Sequence, residues 1–270
     1  MLASLIEMLS YDFMVRAFIA GLIISICAAL IGSSLVLRKQ SMIGDGLSHV
    51  AFGATAIAIV CGFAPLEFSI PIVILAAILI LRLNQNAKIN GDAAIAVLSA
   101  SALALGTFLI SVIPGVNIDL NSYLFGSILA VSAHDLIICA FLGIIIILIF
   151  TLFRRQIFAI TFDETFAKAI GVKTNLYGTI LAILCSLTII IGMRILGALL
   201  ISSLIVFPCL SAMCYAKTFR TNIIVSVAIS ILCFIIGITA SFMLGTPTGA
   251  TIVLTHLIVL LFSWIYNKIR

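Results

Sequence analysis

Charge is what this sequence has least of. Only 9% of its 270 residues are Asp, Glu, Lys or Arg, against roughly a quarter in ordinary globular domains. So thin a charged complement excludes a water-soluble enzyme. Nucleotide hydrolysis is excluded too, because no GxxxxGK followed by Ser or Thr occurs. The seven cysteines, Cys27, Cys61, Cys139, Cys185, Cys209, Cys214 and Cys233, form no CxxC pair, and they read as small buried hydrophobes rather than metal ligands. Residues 1–12 carry Glu7 and Asp12 but no Lys or Arg, so the basic region of a cleavable signal peptide is missing and the first apolar run is expected to stay. No polar stretch is longer than those at 84–91, 115–122 and 154–175, so residues 1–270 are expected to form one membrane domain.

What fills the chain is apolar: 64% of residues, with a mean hydropathy of +1.41. In hydrocarbon every backbone polar group needs an internal partner, and long apolar runs without strand-like alternation satisfy that as helices. The expected fold is an all-α polytopic membrane protein. About nine runs of spanning length are present, eight to ten by different treatment of the breaks. They fall near 13–37, 42–63, 67–83, 92–114, 134–153, 176–193, 195–214, 222–244 and 248–266. The sixth and seventh are separated by Arg194, where a broken or re-entrant segment is an alternative, and Pro208 is expected to kink the seventh.

The basic residues segregate. Arg38 and Lys39, Arg82 and Lys88, Arg154, Arg155, Lys168 and Lys173, Lys217 and Arg220, and Lys268 and Arg270 occupy alternate connections, leaving Arg16 and Arg194 as exceptions. Lys and Arg are retained in the cytoplasm, which places the N-terminus outside and the C-terminus inside. The net charge of +5 is therefore a topology signal, with anionic membrane lipid as a secondary partner and no nucleic acid.

Asp45 and His49 stand out in the stretch Ser41 to Gly53, SMIGDGLSHVAFG. Positions i and i+4 share a helix face, so a carboxylate and an imidazole converge on one point. A hard oxygen beside a borderline nitrogen suits zinc, manganese or ferrous iron better than sodium, potassium or calcium. Gly44 and Gly46 on either side would let the helix unwind or approach another backbone. The structural alternatives are a plain Asp45–His49 ion pair, or an Asp45 that caps a helix starting at Gly46. Ionisable groups at membrane depth usually mark a pathway, although Arg38 and Lys39 are close enough to draw Asp45 toward the cytoplasmic face. One Asp and one His fill only part of a metal's shell, and the rest must come from a second subunit, water or other helices.

The other polar positions are less specific. Asp119, Asn121 and Ser122 lie in an outer connection, where they would meet a delivering protein or form a turn. His134 and His256 read first as hydrogen-bonded membrane histidines. Arg194 would repel cations, anchor at headgroups or pair with an acid. In the loop 154–175, Asp163 or Thr161 can cap a short helix that Gly171 ends. That helix would carry Glu164, exposed Phe166 and the small residues Ala167 and Ala169, suited to a partner's groove or to lipid headgroups.

Four motifs, GDGLSH, Asp119 to Gly126 (DLNSYLFG), Gly197 to Pro208 (GALLISSLIVFP) and Thr246 to Leu254 (TPTGATIVL), occur in this order. Together they resemble the membrane permease of ABC importers for zinc, manganese or iron, across nearly the whole chain. The resemblance implies a permease of type II-like importer architecture, homodimeric, with separate cytoplasmic ATPase subunits and an extracellular metal-binding protein that delivers the ion. It implies that Asp45 and His49 line the path and that the helix within 154–175 couples to the ATPase. The metal would be cargo, with no cofactor permanently bound and no catalysis on this chain. Two departures stand out: Gly245 replaces an acidic residue found in many members, and Ser99, Ala100 and Ser101 occupy a region where some zinc permeases carry a histidine. A gradient-driven secondary transporter is the alternative, and it would be expected to carry more intramembrane acids than Asp45.

Overall fold

The computed structural model describes residues 10–85, 91–112, 126 and 131–269. Their order is α1 (Asp12–Leu37), α2 (Met42–Val60), α3 (Pro65–Gln85), α4 (Gly91–Val112), α5 (Ala133–Leu152), α6 (Arg154–Phe162), α7 (Glu164–Ala169), α8 (Thr174–Leu196), α9 (Ala198–Met213), α10 (Phe219–Leu244) and α11 (Thr248–Ile269). No strand occurs among the described residues. Among the described residues, eight helices are long and apolar enough to cross a membrane, and α9, at 16 residues, is a ninth and shorter apolar helix. The all-helical expectation holds.

The break between α8 and α9 differs from the sequence expectation. Arg194 does not interrupt the helix but lies in the last turn of α8, which runs to Leu196. The interruption is Gly197, whose φ of +90° a residue with a Cβ rarely adopts. Pro208 lies inside α9. It offers no N–H to the carbonyl of Leu204, four residues earlier.

Burial distinguishes centre from rim. In α1, α2 and α8 the most apolar windows are 61%, 67% and 61% buried, against 11% in α4. The α1 helix is the hub, packing on α5, α8, α9 and α10, while α2 packs chiefly on α4 and α3 and also touches α9. Two glycines allow the closest approaches. A Cβ on Gly32 would lie 2.0 Å from the Ile205 carbonyl oxygen, and one on Gly53 would lie 2.6 Å from that of Ala102. Small residues that let backbones meet are how membrane helices associate without a hydrophobic driving force.

The basic connections gather at one end of the bundle. Arg38 pairs with Glu164 of α7, Phe158 and Phe162 of α6 pack against Phe219 at the start of α10 at tilted and edge-on angles, and Tyr215 packs on Tyr266 near the end of α11. Exposed Trp264, with Lys268 5.8 Å over its ring, belongs to the same end. Tyr, Trp and Lys together form the belt expected at a membrane–water boundary. At the other end, Arg194 pairs with Asp135 and Gly126 packs on the Leu196–Gly197 peptide. Of the cysteines, all free, Cys61 is exposed and Cys214 half-buried, so these two depart from the expected burial while the other five follow it.

Candidate functional site: an acid and an imidazole on one helix face

Asp45 is the fourth residue of α2, within its first turn, where the positive end of the helix dipole favours a carboxylate. The helix starts at Met42, so Asp45 does not cap a helix beginning at Gly46, and α2 continues through Gly44 and Gly46 without unwinding. The glycines serve close packing instead. A Cβ on Gly44 would stand 3.1 Å from Ile205 of α9, and one on Gly46 would stand 2.5 Å from Ile95 of α4.

Ile205, near the middle of α9, touches both Gly44 and Gly32. Gly32 lies six residues before Arg38, about 9 Å along α1. Asp45, in the first turn of α2, is about one turn from the basic end, and His49 lies a further turn inward, on the order of 6 Å.

His49 Nε2 lies 3.7 Å from Asp45 Oδ2, and the two side chains are 21% and 52% exposed. The separation is too long for a direct hydrogen bond. It suits two ligands on one ion: with bonds of about 2.1 Å to each, the angle at the metal would be about 120°. His49 Nδ1 is buried without a hydrogen-bond partner. The Ser202 hydroxyl of α9 approaches Asp45 Oδ1 at 3.4 Å. Among the described residues no three His, Cys, Asp or Glu side chains come together, so one chain offers an ion only part of a shell.

Among the described residues, no other sequence candidate makes an ion pair or hydrogen bond with Asp45 or His49. Asp119, Asn121 and Ser122 lie outside the described residues. His134 is exposed at the start of α5. His256 is buried and its Nδ1–H donates to the Ile252 carbonyl at 2.9 Å, within its own helix, while Nε2 has no partner. Arg194 Nη2 lies 3.0 Å from Asp135 Oδ1. The Asp135 Oδ2 accepts from the hydroxyl of Ser132, and Ser132 in turn caps α5. Ser99 is half-buried and Ala100 and Ser101 are exposed on α4. Gly245 ends α10 with φ +64°.

The segment 154–175 holds two helices where one was expected. Asp163 joins them, and its carboxylate accepts from the Phe166 N–H at 2.9 Å to cap α7. Gly171 closes the turn with φ +84° while the Val172 N–H reaches back to the Ala167 carbonyl. Glu164 binds Lys168 at 3.0 Å and Arg38 at 3.4 Å. Burial pulls the Arg38 guanidinium below its ordinary pKa and Glu164 opposes that shift. Ala167 is fully buried, whereas Phe166 and Ala169 are exposed, as are Phe162 and Ile170. Sequence reasoning missed Ser202 as a site residue, since it meets Asp45 only through the packing of α9 on α2, 157 residues away in the chain.

The profile of the family described as "ABC 3 transport family" matches residues 10–267. The manganese import system permease protein ScaB of Streptococcus gordonii is 33% identical over 94% of this chain and 91% of its own length. The high-affinity zinc uptake system membrane protein ZnuB of Haemophilus influenzae is 29% identical over 90% of this chain and 94% of its own. Among solved structures, PsaBC from Streptococcus pneumoniae, in complex with Fab, superposes with a TM-score of 0.86 at 32% identity, covering 98% of this chain and 95% of that one.

Proposed function

This chain belongs to the ABC 3 transport family, and on that premise we propose that it is the membrane subunit of an ATP-driven importer of zinc, manganese or iron. Asp45 and His49 bind the ion in transit. The observation that carries the reading is a carboxylate half exposed on the chain's own surface, in the first turn of α2, beside an imidazole at 3.7 Å. Ionisable groups within membrane bundles face the bundle interior or a water-filled cavity, so Asp45 faces a polar passage. A second copy of the chain across that passage supplies the rest of the metal shell.

Hydrolysis resides on separate ATPase subunits, which dock on α6–α7, and an extracellular metal-binding protein delivers the ion near Asp119 to Ser122. The N-terminus is outside and the C-terminus cytoplasmic. A gradient-driven transporter would require further acids to carry coupling ions, and the buried acid Asp135 is already committed to Arg194. The test is uptake of radiolabelled zinc, manganese and iron by cells whose only copy of the permease is Asp45→Ala or His49→Ala. We expect uptake to be lost while membrane insertion and assembly with the ATPase persist. Wild-type uptake by both variants overturns the reading.

A further inference from the structure

Ser202 has one hydroxyl hydrogen and two acceptors within reach. Its oxygen lies 3.1 Å from the Ala198 carbonyl oxygen and 3.4 Å from Asp45 Oδ1, and a hydroxyl donates only one hydrogen bond at a time. When the proton points at Asp45, it holds Oδ1 and turns Oδ2 toward His49. When it swings to Ala198, the hydroxyl oxygen presents a lone pair toward Asp45 Oδ1. A cation shared by the two oxygens would favour that second arrangement.

The placement is set by the fold rather than by a mobile loop. The backbone break at Gly197 starts α9 four residues before Ser202. One turn beyond Ser202, Ile205 is pinned against Gly32 and Gly44. The hydroxyl therefore stands at the same depth as Asp45 on a neighbouring helix. We infer that Ser202 is a third member of the ion site, an oxygen donor whose proton swings to Ala198 as the ion arrives. This inference rests on the reading of Asp45 and His49 as ligands. It adds a hard oxygen to a carboxylate and an imidazole, an O, N, O set that favours manganese or ferrous iron over softer ions such as cadmium.

The experiment measures radiolabelled manganese uptake by the complete transporter in cells, with cadmium as competitor, for Ser202→Ala, Ser202→Thr and Ser202→Cys. Membrane insertion and ATPase copurification are checked for each. Loss of a group that orients or completes a metal site costs roughly 10–100-fold in affinity. Ser202→Ala should accordingly raise the KM for manganese at least tenfold, Ser202→Thr should restore it by returning the hydroxyl, and Ser202→Cys should make cadmium the stronger competitor. An unchanged KM and unchanged cadmium competition in Ser202→Ala, with Asp45→Ala inactive, overturns the role of Ser202 and leaves the Asp45–His49 site standing. A fall in maximal uptake alone, at constant KM, likewise makes the residue structural and overturns the inference. Normal uptake by Asp45→Ala removes the site itself and Ser202 with it.

Discussion

Asp135 has both carboxylate oxygens engaged, one by Arg194 at 3.0 Å and the other by the Ser132 hydroxyl at 2.7 Å. The acid sits at the start of α5 and the base in the last turn of α8, so each also complements the dipole of its own helix. We predict that Arg194→Ala, by leaving a buried acceptor unpaired, costs about 1–3 kcal/mol. The purified protein in detergent should melt at a lower temperature, and adding Asp135→Asn should recover part of the loss. An unchanged melting temperature in the single variant would mean that the pair contributes nothing. The same scale shows what a sequence can disclose. Asp45 and His49 were legible because a spacing of four is local helix geometry. The choice among repulsion, anchoring and pairing for Arg194, and the approach of Ser202 to Asp45, depend on which helices become neighbours, and no local spacing carries that information.

At the scale of elements, the two-helix segment after α5 makes the point about helix ends. Asp163 and Gly171 announced α7 correctly, because a cap side chain and a left-handed glycine each have a local physical signature. The preceding α6, Arg154–Phe162, announced nothing, since its two arginines and interleaved aromatics resemble a polar connection until Phe158 and Phe162 meet Phe219. The long spans were legible from hydropathy alone, but the break before α9 was assigned to Arg194 because a charge looks like an interruption, whereas the backbone turns at Gly197. For docking, the two alanines of α7 are unequal. Ala167 is fully buried, so a glutamate there would disrupt this chain itself. Ala169 is exposed beside Phe166 and Ile170, and Ala169→Glu tests the partner surface cleanly. We predict that it folds and inserts normally but loses copurification with the ATPase subunits and loses uptake. Gly171→Ala should weaken the same contact through strain at φ +84° of roughly 1–2 kcal/mol, since its Cβ would meet nothing within 4 Å. Normal copurification and transport by Ala169→Glu would assign the exposed face to lipid headgroups instead.

For the whole molecule, the placement of charge and the packing of helices are two independent arguments that agree. Alternate connections carry the Lys and Arg residues, and the packing joins them physically: Arg38 to Glu164, the start of α10 beside Arg220 to α6, and the connection after α9 to the end of α11. In the proposed orientation the basic connections lie in the cytoplasm, and this end would face the ATP supply and the Arg194–Asp135 end the delivered metal. Asp45, in the first turn of α2, would then lie nearer the cytoplasmic end, and an ion on the proposed path would cross most of the bilayer before it reached the carboxylate. The orientation is tested with single cysteines at Asn86, Asn117 and Lys173 in a cysteine-free background, probed with a membrane-impermeant thiol reagent. In intact cells only the cysteine at 117 should react, and those at 86 and 173 should react once the membrane is opened. Reaction at 173 in intact cells would invert the bundle, set α6–α7 outside the cell and remove the ATPase from the surface assigned to it, whatever the metal site does.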